Sequence, residues 1–155
     1  MNTKHESANL ILKLYELRRE DKMREARDWF GKFSPESAQD IVDAVMNEHS
    51  SAYYRMVATY WDMAASLVNQ GAIDEAMFND ANAEHVFIFA KVEPFLGEMR
   101  VMFNAPQALA NLEKLVMRMP DAKQRLEAVR ERSKRMAAAR AAARSGLEHQ
   151  ESSAQ

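Results

Sequence analysis

From Ala38 to Leu67, one stripe of mostly apolar residues recurs every third or fourth position without slipping phase. It runs Ala38, Ile41, Val42, Val45, His49, Tyr53, Met56, Val57, Tyr60, Ala64, Leu67. That period is the period of an α-helix, whose i, i+3, i+4 positions share one face, and it excludes a half-buried strand, which alternates every second residue. Turn and strand formers are scarce enough to extend the conclusion to the whole chain. Only 4 Gly and 4 Pro occur in 155 residues, and 25 Ala stand against 15 residues of Val, Ile and Thr together. Ala loses no side-chain entropy in a helix, whereas β-branched residues favour strands. The expected fold class is therefore all-α, an elongated antiparallel bundle of about four to six helices in one domain spanning 1–145.

Local signals divide the chain. A helix is expected over about 6–31, with Leu10, Ile11, Leu14 and Leu17 as its inner face and a charged stretch from Arg18 to Asp28 in which Glu20 pairs with Arg24. Ser34-Pro35-Glu36 is a helix start. The stripe that follows reads either as one helix to Asn69, roughly 52 Å long at 1.5 Å per residue, or as two helices with a kink or break at Ser50-Ser51. Gly71 ends it, Asp74 caps the next helix, and Ile73 with Phe78 forms a hydrophobic staple. Pro94 predicts a kink at 92–94, because it removes a backbone donor. A short helix is expected over about 106–118, then a last one over about 121–145 with a heptad-like, coiled-coil-like seam closed by Gly146. Residues 146–155 lack an apolar pattern and are expected to form a disordered tail.

The net charge of −2 conceals a gradient. Residues 36–104 hold 11 acids and 3 bases, net −8, while 118–144 hold 9 bases and 3 acids, net +6. Opposite segments can attract each other within a chain or between chains, and a basic helix can also meet phosphates. The basic residues that carry this reading are Arg130, Arg132, Lys134, Arg135, Arg140 and Arg144. No aromatic residue interleaves them, which counts against single-stranded nucleic acid.

Chemical motifs are missing. There is no cysteine, so thiolate metal sites and thiol catalysis are excluded. The residues three before His49 and His85 are Met46 and Asn82, so the Glu-x-x-His pairs of a di-metal bundle are absent. Phosphate loops and serine-nucleophile elbows are absent too. His49 and His85 lie on apolar stripes beside Glu48 and Glu84 and read as core or groove histidines. Asp62, in Tyr-Trp-Asp-Met, reads as a polar handle able to accept a hydrogen bond from a buried Trp or Tyr. No catalytic residue, metal or cofactor is called for. No run of apolar residues is long enough to span a membrane, and nothing marks the chain for export, so the cytoplasm is the expected location.

Met23-Arg24-Glu25-Ala26-Arg27, Tyr60-Trp61-Asp62 with Leu67-Val68, Gly71, Ile73, Asp74, Pro94-Phe95 and Arg100 together resemble an uncharacterised family of small bacterial helical proteins, a domain of unknown function, over about residues 20–100. The resemblance implies an all-helical fold and no particular activity. The expected function is a non-enzymatic helical module for self-association or for binding another protein. The alternatives are nucleic-acid binding through the last helix, or a ligand or metal site assembled by the fold.

Overall fold

Short polar side chains cut this chain more often than its apolar periodicity indicates. The computed structural model describes residues 3–154. Among them are nine α-helices and one 3-10 turn: α1 (Lys4–Arg18), α2 (Asp21–Lys32), α3 (Ala38–Met46), α4 (Ser51–Asn69), α5 (Glu75–Ala81), α6 (Glu84–Val92), the turn Glu93–Phe95, α7 (Leu96–Met102), α8 (Ala110–Met117) and α9 (Ala122–Ser153). The all-α reading holds. The elongated bundle of four to six helices does not, because the helices are shorter and pack across one another. α4 lies at the centre, against α2 and α8 and more lightly against α3 and α5, while α6 packs on α8 and α9 and α3 on α7.

Each unexpected break has a local cause. Asn47 leaves helical geometry at ψ 129°, and its side-chain oxygen accepts the N–H groups of His49 (2.9 Å) and Ser50 (3.3 Å). Ser50 Oγ then donates to the Ala44 carbonyl at 2.6 Å. These bonds replace the helical ladder, as Asn and Ser side chains can do, so the stripe from Ala38 to Leu67 is divided between two helices, and in α4 the buried face lies one residue further on, at Tyr54, Val57, Ala58, Trp61, Ala65 and Val68. Glu20 accepts from the N–H groups of Lys22 and Met23 and starts α2, rather than pairing with Arg24. Ser37, not Ser34, caps α3. Asn82 is extended and donates to the Phe78 carbonyl, which separates α5 from α6.

Other signals read as expected. Gly71 sits at φ +79°, and the Gly71 and Ala72 N–H groups bond back to Val68 and Leu67 in the pattern that closes a helix. Asp74 accepts from Met77 N–H at 2.8 Å and caps α5. Pro94 converts one turn to 3-10 geometry between α6 and α7. Gly146 does not close α9, which runs on to Ser153. Nothing crowds or strains the helix there, and a single Gly among Ala residues costs only about 1 kcal/mol.

Trp61, Phe30, Phe78, Phe89, Ile41, Leu112 and Leu115 are fully buried around α4. Leu126 joins them from α9, and Val129 packs at the edge of the same core. From Lys134 onward every described residue of α9 is exposed, Met136 at 50% and Leu147 at 61% among them. The helix has 32 residues, roughly 48 Å, and more than half of that length projects from the core.

In urea unfolding, Trp61→Ala and Phe89→Ala should each cost about 3–5 kcal/mol, since both side chains are enclosed. Leu67→Ala should cost less, because Leu67 is only half-buried. Glu20→Ala should cost about 1 kcal/mol as a lost cap, more than an exposed ion pair would explain.

Candidate functional site

Two groups of polar side chains stand out, one inside the fold and one along its surface. The inner group joins α1, α2, α4 and α6. Arg27 makes a forked contact with Glu84, Nε lying 3.0 Å from both carboxylate oxygens and Nη2 2.7 Å from Oε2. Trp61 Nε1–H donates to the same carboxylate at 3.2 Å. The Arg18 guanidinium lies 5.1 Å from the Trp61 ring centre and donates to Asn82 Oδ1 at 2.7 Å. The Tyr60 hydroxyl donates to the Leu14 carbonyl. This forked Arg–carboxylate pair is only partly buried, and its forked geometry makes it more directional than a single-point ion pair.

His85 sits behind this group, fully buried, with its ring centre 5.0 Å from Phe78 and 5.7 Å from Trp61. Burial, with the Arg18 charge adding to it, pushes the imidazole down to about 4, so the ring is neutral near pH 7. Its Nε2 lies 3.2 Å from Asn79 Oδ1, an acceptor, which assigns the proton to Nε2. Nδ1 has no partner. His49 is nowhere near. It is exposed in the turn before α4, off the apolar stripe, and does not meet His85. Among the described residues no group of three His, Asp or Glu is placed to hold a metal ion, and no helix is long and apolar enough to cross a membrane.

Asp62 serves neither Trp nor Tyr. Its Oδ1 accepts Leu112 N–H at 2.9 Å, and its Oδ2 accepts from Asn111 Nδ2 at 3.1 Å. Both belong to the first turn of α8, whose own cap position, Leu109, is left-handed at φ +56° and offers no side-chain acceptor. A carboxylate on α4 therefore caps α8 from across the core. Arg100 pins the preceding loop, donating to the Ala108 carbonyl at 2.9 and 3.0 Å and pairing with Glu113 at 3.1 Å.

The surface group is a cleft of about 670 Å³ between the end of α2, α6 and the overhanging face of α9. A second hollow of about 470 Å³ continues it toward Glu84, and the two share Gly31, Phe87 and Arg140. Of the basic residues singled out in the sequence, Arg130, Lys134, Arg140 and Arg144 line this cleft, whereas Arg132 and Arg135 do not. Arg130 is anchored to the Ala90 carbonyl (3.0 Å) and Glu93 (3.4 Å). Among the described residues Lys134 meets Glu131 alone, at 3.8 Å.

Lys91 was not singled out in the sequence. Its ammonium donates to the Phe30 (2.8 Å), Gly31 (2.9 Å) and Phe33 carbonyls, closing the C-terminus of α2, and lies 4.7 Å from the Phe87 ring centre. Burial pushes it down to about 8. The only sequence signal for it was a lysine set in the apolar run Val86–Val92. Glu84 stands out in the sequence as the neighbour of His85, and its role as acceptor for Arg27 and Trp61 depends on the fold.

Architecture and polar network define a small all-helical domain whose helices are tied by side chains that cap or pair across the core. The chain belongs to the family described as Domain of unknown function (DUF4760), whose model matches residues 4–119, which is α1 to α8 without α9. No curated protein and no solved structure matches the chain. The residues that carried the resemblance do structural work here. Arg27 and Trp61 meet at Glu84, Asp62 caps α8, Gly71 and Asp74 bound helices, and Arg100 holds a loop.

Asp62→Ala should destabilise the domain by about 1–2 kcal/mol in urea unfolding, as lost caps do, with little loss from Asp43→Ala on an exposed face. His85 should make stability fall in acid. An unfolded histidine titrates near 6.5 and the buried one near 4. Between those values the unfolded chain binds more protons, so this contribution is whole above pH 6.5 and is lost as pH falls toward 4, by up to about 3 kcal/mol. His85→Gln should unfold with a shallower pH dependence across that window than the parent.

Proposed function

We propose that this protein is a non-enzymatic helical interaction module that contacts its partner, another protein or a second copy of itself, through the cleft roofed by α9. The observation that carries the reading is the projecting half of α9, whose Arg140 and Arg144 have no hydrogen-bond or ion-pair partner among the described residues. A helix that buries little of itself and holds unpaired charges over a cleft suits contact with something outside the fold. The inner polar residues support the same reading. Asp62 and Glu84 spend their hydrogen bonds on caps and on ties between helices, and His85 is enclosed by aromatic rings. A cytoplasmic location is part of this proposal.

Among the described residues the charge gradient is used inside the chain by Arg118 with Glu75 and by Arg130 with Glu93, and neither contact draws on α9 from Lys134 onward. That leaves the basic face available. The test is capture from extract of the native host on the immobilised full chain, compared with Lys134→Glu/Arg140→Glu/Arg144→Glu. These residues are exposed, so folding stability should stay within about 0.5 kcal/mol of the parent for each change. Proteins retained at physiological salt should be lost in the triple variant and unaffected by nuclease. Retention that disappears with nuclease would assign the basic helix to nucleic acid instead.

A further inference from the structure

We infer that the cleft takes an acidic segment of a partner protein, helical, with carboxylates one turn apart and apolar side chains beside them; this rests on the interaction reading above and names the chemistry of the occupant. The two joined hollows are lined by eight cationic and three acidic side chains. Six of the cations are already engaged. Arg27 holds Glu84, Lys32 holds Asp28, Lys91 closes α2, Arg130 is tied to α6 and Glu93, and Arg24 and Lys134 meet Asp21 and Glu131 at 3.9 and 3.8 Å. Arg140 and Arg144 remain, four residues apart on α9 and therefore on one face, with side chains about 5–6 Å apart at Cβ. That spacing matches two carboxylates one turn apart on a facing helix, and forked pairing with carboxylates is what guanidinium groups do best.

The floor of the cleft decides between occupants. It is built from the half-buried Phe87, Phe95 and Val129, next to the exposed Pro94. A phosphate-bearing strand contacted through charge leaves these apolar surfaces wet, whereas an amphipathic acidic helix covers them and satisfies the two arginines at once. The size agrees. A cleft of about 670 Å³ accepts a few side chains of one helix. Arg132 and Arg135, which a basic nucleic-acid face would recruit, lie outside it.

The experiment is fluorescence anisotropy on the full chain with four labelled probes at physiological salt: a helical 14-residue peptide with Glu pairs four apart beside a Leu stripe, the same peptide with Leu changed to Ser, the same with Glu changed to Lys, and an oligothymidylate of 20 nucleotides. The Glu/Leu peptide should bind, and each altered peptide should bind at least tenfold more weakly. Arg140→Glu/Arg144→Glu should weaken the Glu/Leu peptide at least tenfold with an unchanged thermal melting curve. The inference is overturned if the double variant binds the peptide as the parent does, if the peptide fails to bind at all, or if the oligothymidylate binds as tightly. Sedimentation equilibrium of the full chain supplies the last arm: a dimer abolished by the double variant would make the occupant a second copy and overturn the separate partner. Should host proteins be captured in a nuclease-resistant, arginine-dependent way while no peptide binds, the occupant chemistry fails and the interaction reading stands.

Discussion

Two adjacent residues on α4, Trp61 and Asp62, tie the central helix to the helices around it. Trp61 fills the core with its ring and reaches Glu84 at the start of α6, and Glu84 in turn clamps Arg27 on α2. Asp62, about 100° further round the helix, caps α8. Burial of apolar area supplies the drive that collapses the helices, but it is non-directional. The directional part comes from these charged and polar bonds, which fix which helix meets α4 and at which turn.

That dependence explains how a chain of short helices is stable. Helices of seven to nine residues, such as α3, α5, α6 and α8, are too short to persist alone in water. Their ends leave backbone donors and acceptors that must be satisfied. Here those partners often come from another helix: Asp62 serves α8 and Lys91 serves α2. The left-handed Leu109, unfavourable for a residue with a side chain, is held between Arg100 on the Ala108 carbonyl and Asp62 on Leu112. The segment matched by the family model contains all of this framework, and α9 lies beyond it.

α9 behaves differently. Its first three turns use Ala122, Leu126 and Val129 to seal one side of the core, and its remainder carries Arg and Ala into solvent. One continuous helix thus has a structural end and an available end. The junction lies at the cleft, where anchored cations such as Lys91 and Arg130 sit beside the unpaired Arg140 and Arg144. Charges committed to carbonyls and carboxylates rigidify the rim, and the uncommitted ones give it its electrostatic character.

The amino-acid sequence by itself determined the helical class, the apolar faces and several boundaries. Those features are local: a period of 3.6, a Gly able to adopt positive φ at 71, an Asp able to cap at 74, a Pro without a donor at 94. Even so, the apolar period ran through Asn47–Ser50, because a phase-matched stripe does not reveal that Asn47 and Ser50 have turned their side chains onto the backbone. It also placed His49 inside, where the break leaves it exposed, and it paired Glu20 with Arg24, where a cap wins. Of the site, the arginines of α9 were legible as charge, but not which of them share a cleft. Tertiary structure alone decided that Arg140 joins Arg130, Lys134 and Arg144 over a cleft against α6, that Glu84 joins Arg27, and that Asp62 caps a helix fifty residues away. The reason is physical. A hydrogen bond or ion pair between distant segments depends on how helices cross, and crossing is set by the packing of whole surfaces, which no short window of sequence encodes.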